Sequence, residues 1–129
     1  MINVKKQVAY WEKSSEEDWK AAGNLLKNKH IRHALFFVHL SLEKLLKAHV
    51  CSHINDLAPR IHNLVRLAES SGLIFTQDQI DILAEINSFN IEGRYPESLS
   101  KPPSFVEAKK YFSKAEEVLL WLRSQSLKK

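Results

Sequence analysis

Arg94, Tyr95 and Pro96 stand together where an apolar helical pattern runs out, in the stretch FNIEGRYPE at 89–97. Arg offers a planar fork of donors matched to phosphate. Tyr offers a ring face on which a base can stack. Pro stiffens the loop that carries them. The same residues also make an ordinary helix exit, with Tyr95 packed on the fold and Arg94 paired to Glu92 or Glu97. A second group, Arg60-Ile61-His62, follows Pro59 and opens a helix. Free N–H groups and a positive dipole end there suit an anion. A plain loop-to-helix junction is the competing reading. A third group, Glu43, Lys44 and Lys47, sits on an otherwise apolar helix. Glu43 and Lys47 at i,i+4 form an ion pair of favourable orientation. Either that pair is exposed where the helix leaves the core, or its polar stripe faces a cleft.

Other chemistry finds less support. His30 and His33 lie three apart, and His49 and His53 lie four apart with Cys51 between. Histidines at i,i+4 can share a metal, but the zinc-protease pattern needs a Glu directly after the first His, and Val50 is there. No third ligand is evident, so no metal site is expected. Glu16-Glu17 and Glu116-Glu117 are adjacent pairs. On a helix they diverge by about 100° and cannot converge on one atom. Glycines at 23, 72 and 93 are too scattered for a phosphate loop. No cofactor is implied.

The elements that must position these residues read as five helices. The first spans about Asn3 to Lys27, with Val4, Val8, Trp11, Ala22 and Leu25 at helical spacing. Ser15 with Asp18 resembles a capping box, which predicts a break near Ser14. A turn is expected at Asn28-Lys29-His30. The second helix, Ile31 to about His53, is apolar on nearly every face through ALFFVHLSL, so it is central; its distal half reads as amphipathic. INDLAPR is a loop. A short helix follows, about His62 to Ser70, with Leu64, Val65, Leu67 and Ala68 inward and a left-handed cap at Ser71-Gly72. The fourth begins after Thr76, boxed with Gln79, and carries the stripe Ile80, Leu83, Ile86 and Phe89. The last starts at Ser104, boxed with Glu107, with Val106, Tyr111, Ala115, Val118 and Leu122 inward. No alternating strand pattern competes. The fold class is all-α, an up-and-down bundle of four to five helices.

The 129 residues fit one domain, 1–129, with a core at about 5–125. Hydrophobic residues make up 44% and the net charge is +4, with basic residues spread along the chain. That scatter is the mark of a solvated surface rather than a nucleic-acid footprint. One Cys rules out an internal disulfide and fits a reducing cytosol. The N-terminus lacks the apolar core of a signal peptide, and no apolar run approaches the ~20 residues of a membrane span. A cytoplasmic protein is expected.

Three runs, in order, carry a resemblance. HIRHALFFVHLSLEKLLKAHV, then PRIHNLVRLAESSG, then FNIEGRYPE resemble the HEPN domain family over about residues 5 to 125. The resemblance implies a helical bundle of four or five helices that often forms homodimers. It implies small prokaryotic proteins frequently encoded beside a minimal nucleotidyltransferase, in toxin–antitoxin-like modules linked to RNA or nucleotides. Many members are metal-independent endoribonucleases whose signature is an Arg, four to six residues, then a His, near the end of a late helix. Two such sites meet across a dimer.

This chain departs from that signature. Arg94 stands where the catalytic Arg is expected, yet the residues after it run Tyr95, Pro96, Glu97, Ser98, Leu99, Ser100, Lys101, with no His. Arg32 and His39 match the spacing, but in the second helix, at a frequency chance accounts for. Metal-free RNA cleavage needs a proton acceptor or donor, and His suits both near neutral pH. Arg stays protonated and cannot shuttle. His62 or His39 could reach the same cleft from another helix. The resemblance therefore implies a nucleotide- or RNA-binding protein with a nucleotidyltransferase partner, its site expected at Arg94 and Tyr95, with Arg60, His62, Glu43 and Lys47 as further ligand-binding candidates. A ribonuclease with Arg94 and His62 as catalytic candidates, and a non-catalytic interaction module, stand as alternatives.

Overall fold

The chain forms α1 (Val4–Lys27), α2 (Ile31–Ile54), α3 (Leu64–Ser70), α4 (Gln77–Arg94) and α5 (Phe105–Ser124). This computed structural model describes residues 3–127 apart from 95–100, with the backbone alone from 91 to 94. No strand occurs among the described residues.

Local signals set most boundaries. Asn3 caps α1 by accepting from Lys6 N–H at 3.1 Å. Thr76 and Gln79 exchange side-chain bonds at the start of α4, as do Ser104 and Glu107 at α5. Each such cap is worth about 1 kcal/mol. The α1–α2 turn closes with a Schellman pattern: Lys29 N–H donates to Leu26 O, and His30 N–H to Leu25 O, both at 2.9 Å. Lys29 takes the left-handed position of that motif, at φ 62°. Gly72, after α3, has φ 78°. A Cβ there would strike the His53 ring, so glycine serves both backbone and space.

α1 is continuous, contrary to the expected break near Ser14. Ser15 does not cap. It is buried against α2, where its hydroxyl reaches Ser41 O at 2.7 Å and Ser41 returns a bond to Ser15 O at 2.8 Å. The pattern Ser-x-x-Asp is satisfied across helices instead, with Asp18 accepting from Lys44 at 2.7 Å. These contacts, with Trp11 beside Lys47 and Lys44 beside Ser14, pair rising numbers on α1 with falling numbers on α2. The two helices are antiparallel.

Two other pairs give the directions of α4 and α5. Lys29 lies over the Phe105 ring and His49 meets Leu122, so α5 runs with α2. Phe75 packs on Trp121 and Phe89 on Tyr111, so α4 opposes α5. The four long helices run up, down, up, down.

α2 is the axis of this bundle. From Ser41 to Cys51 every residue except Lys44 is buried. Its distal half was expected to be amphipathic; instead α1 covers one side with Val8 and Trp11, and α5 approaches the other at Leu122. Leu42, Leu46, Leu64, Leu67, Leu83, Ile86, Leu119 and Leu122 fill the core at 0% exposure. Burying each such side chain stabilises by roughly 1.5–3 kcal/mol. On α5 the inward face is Ala108, Ala115, Val118, Leu119 and Leu122, while Val106 is 59% exposed, outside the face assigned to it. Among the described residues no helix is long and apolar enough to cross a membrane.

His49 is buried, and its Nε2 lies 2.9 Å from Leu122 O. A carbonyl only accepts, so Nε2 carries the proton. Burial pushes this imidazole below its ordinary value, against smaller upward pulls from that hydrogen bond and from Glu12. A buried neutral His must charge only in the unfolded chain. Its stabilising contribution is therefore full above the unfolded pKa of about 6.5 and is lost as pH falls from there towards the lower folded value. Urea unfolding from pH 7.5 to 5 should show stability declining. The decline should be shallower in His49→Gln, by at most about 1.4 kcal/mol per pH unit.

Candidate functional site

The Glu43 carboxylate is the centre of a polar cluster inside the bundle. Glu43 is only 4% exposed and Lys47 only 6%. Lys47 Nζ donates to Glu43 Oε2 at 3.0 Å, one turn along α2. His62 Nδ1 reaches the same oxygen at 3.0 Å. One turn earlier on α2, His39 places Nδ1 3.6 Å from Glu43 Oε1. The expectation of an exposed ion pair is thus overturned: the pair is buried, because α1 lies over this length of α2. Lys47 Nζ also sits 5.2 Å from the centre of the Trp11 ring, whose face favours a cation.

His62 is set by elements remote in sequence. α2 ends at Asn55 in a left-handed conformation, φ 54°. The connection to α3 then returns over α2 and brings His62 to Glu43. Its far end is clamped. Asn63 Oδ1 accepts from Val65 N–H and Arg66 N–H, and from Asn87 Nδ2 on α4. Asn87 Oδ1 accepts from Leu64 N–H at 2.7 Å. The first three N–H groups of α3 are thereby occupied. Of the two readings of the Arg60–His62 helix start, an anion site and a plain loop-to-helix junction, the structure has the N–H groups already satisfied by two asparagines.

A carboxylate only accepts, so the His62–Glu43 contact places the His62 proton on Nδ1. In the neutral ring Nε2 is then the acceptor. The His62 side chain remains 47% exposed. The site thus presents a half-exposed imidazole, oriented from below by a buried carboxylate that Lys47 keeps charge-balanced.

The structure therefore gathers Glu43, Lys47 and His62 from the sequence candidates, and adds Asn87 and Trp11. Asn87 was not foreseen. Its one signal is a poor helix former beside the Leu83–Ile86–Phe89 stripe. Arg60 is exposed, two residues before His62. Arg94 is the last residue of α4, two turns beyond Asn87; its side chain, and Tyr95 altogether, lie outside the described residues. Among the described residues no three or more His, Cys, Asp or Glu side chains gather as a metal site. His49 is committed to Leu122. Cys51 is buried, and burial pushes its thiol up, which keeps it protonated. A hollow of about 340 Å³ against α1, lined by Tyr10, Lys13, Ser14 and Glu17, is separate from the cluster.

The HEPN domain model matches residues 8–125. The chain belongs to the HEPN domain family. This HEPN domain also shares its fold with solved structures. The crystal structure of TT1696 from Thermus thermophilus aligns with TM-score 0.77 at 16% identity, covering 91% of this chain and 96% of that one. ST0689, an archaeal HEPN homologue, aligns with TM-score 0.71 at 18% identity, covering 97% and 98%. No curated protein matches significantly. The expected fold class, an all-α bundle, is the one observed.

The buried pair in this HEPN domain has a measurable signature. Removing one partner leaves an uncompensated buried charge, which costs about 3–5 kcal/mol, whereas replacing both is far milder. Lys47→Met should lower the unfolding free energy by about that amount. Adding Glu43→Gln to it should recover most of the loss, read as the coupling in a double-mutant cycle by urea denaturation.

Proposed function

We propose that this HEPN-family chain is a nucleotide- or RNA-binding protein, built as a single unit that acts as a cytoplasmic homodimer beside a minimal nucleotidyltransferase in a toxin–antitoxin-like pair. His62, where it emerges from the bundle, contributes to that binding. Arg94 and Tyr95 supply the phosphate fork and the stacking ring, and Arg60 adds exposed positive charge. The observation that carries the reading is the oriented, half-exposed His62 on its buried Glu43. Glu43 and Lys47 enter as the support beneath His62, since each neutralises the other.

Support for the ligand class comes from the family together with the Arg-Tyr pair at the end of α4. The test is a native gel with labelled single-stranded RNA in EDTA, repeated with a labelled nucleoside triphosphate. Wild type should shift one of them. Arg94→Ala should weaken binding by roughly 10- to 100-fold, the loss of one charge-assisted contact. Sedimentation should give twice the chain mass. A chain that binds neither probe, or an Arg94→Ala variant that binds as wild type does, returns the end of α4 to a helix exit and favours a non-catalytic interaction module.

A further inference from the structure

We infer that the end of the bundle formed by the α1–α2 turn and the start of α5 is a phosphate track, which holds the backbone of a single-stranded nucleic acid without regard to its sugar. This rests on the binding reading above, commits it to a strand rather than a free nucleotide, and places the contact on a surface outside the Arg94, Tyr95 and His62 candidates. Residues 24–33 and 101–110 lie far apart in sequence. The fold brings them together, with Lys29 Nζ 5.4 Å from the centre of the Phe105 ring. These two stretches hold Lys27, Lys29, Arg32, Lys101, Lys109 and Lys110 against one acidic residue, Glu107. Six against one is a net of +5, where the whole chain carries +4. Basic residues that are spread along the sequence thus gather in space. α4 opposes α5, so Arg94 closes α4 at this same end.

These cations are left without counter-charges. Elsewhere Lys20, Lys44 and Lys47 each meet a carboxylate. Among the described residues none of the six does. Arg32 Nε likewise has no hydrogen-bond partner among them. Glu107, the one acid nearby, turns a carboxylate oxygen to the Ser104 N–H at 3.0 Å. Lys109 Nζ lies 4.7 Å from the centre of the same Phe105 ring. One ring thus holds two like charges that no side-chain carboxylate joins. Lys29 itself stands at φ 62°, in a position where Gly or Asn is usual. Repulsion among like charges works against the compact fold, and an arriving polyanion relieves it. A strand presents a phosphate at every nucleotide and meets several of these cations at once. Lysine reads a phosphate as a point charge. Such contacts position a strand and carry no sequence information. RNA and DNA offer them equally. An anionic lipid surface fits less well, because anchoring there needs a broad apolar face. Among the described residues Val106 is the one large apolar side chain exposed at this end.

The test titrates the full chain, as wild type and as the double variant Lys29→Asn, Lys109→Gln, into labelled single-stranded RNA and DNA of one length. Salt is varied, and labelled ATP and vesicles of anionic lipid are run alongside. Wild type should bind both strands with similar affinity. The double variant should weaken both about 10-fold at low salt. It should also flatten the slope of log K against log salt by about 1.4, the loss of two phosphate contacts on a single strand. ATP binding should not change. Asn visits the left-handed backbone more readily than Lys, so urea unfolding of Lys29→Asn alone should show no loss of stability, which separates lost binding from lost folding. Equal affinity and slope in wild type and variant overturn this inference and leave the Arg94 reading standing. RNA bound without DNA overturns it too, as does ATP binding that falls as far as strand binding. Wild type that binds ATP or the vesicles but neither strand also overturns it, and with ATP bound the nucleotide reading survives. Wild type that binds neither strand nor ATP overturns both readings together.

Discussion

A carboxylate buried in the middle of the central helix is the constraint on which this bundle turns. Moving an ion such as Glu43 out of water costs several kcal/mol even after relaxation, and only close, well-aligned partners offset it. α2 supplies Lys47 one turn on, but a single cation leaves a carboxylate with unused acceptor capacity. The rest comes from elsewhere. His62 arrives from the α2–α3 connection. Trp11, from α1, covers the Lys47 ammonium with a ring face. Glu43 therefore draws on α1, α2 and the loop before α3 at once.

The path of the chain follows from that demand. α2 ends in a left-handed Asn55, and the chain must then come back far enough to lay His62 over Glu43. Asn63 and Asn87 lock the return by satisfying the first turn of α3 from both sides. This clamp ties α3 to α4, and α4 leads to Arg94. His62 and the start of α3 thus hang on one rigid set of contacts. Rigid helices hold a side chain to a geometry more closely than loops do. His62, although on a loop, gains that rigidity from the buried carboxylate beneath it.

The α1–α2 hairpin shows how polar groups inside the bundle are used. Ser15 and Ser41 bond each other's backbone carbonyls across the helix crossing. Lys44 joins Ser14 and Asp18 of α1. Small hydroxyls allow close approach, and each of these side chains finds its partner on the opposite helix, which fixes the register of one helix against the other. A purely apolar seam would tolerate sliding.

The sequence by itself determined what depends on neighbours in the chain. The helical periods, the paired caps at Thr76–Gln79 and Ser104–Glu107, the turn at Asn28–His30 and the glycine after Ser71 all act within one turn of backbone, so their residues announce them. The long apolar run of α2 likewise declared a central helix, and the ordered runs around Glu43, His62 and Arg94 pointed to the HEPN family. Only the tertiary structure decided what depends on residues far apart in the chain. Ser15 reads as a cap until α2 lies beside it. Glu43 and Lys47 read as a surface pair until α1 covers them. The start of α3 reads equally as an anion site or a plain junction until Asn87 arrives from α4. Ser15 exchanges a local partner for a distant one, whereas Glu43 keeps Lys47 and α3 keeps Asn63, and each gains a further partner from elsewhere in the chain.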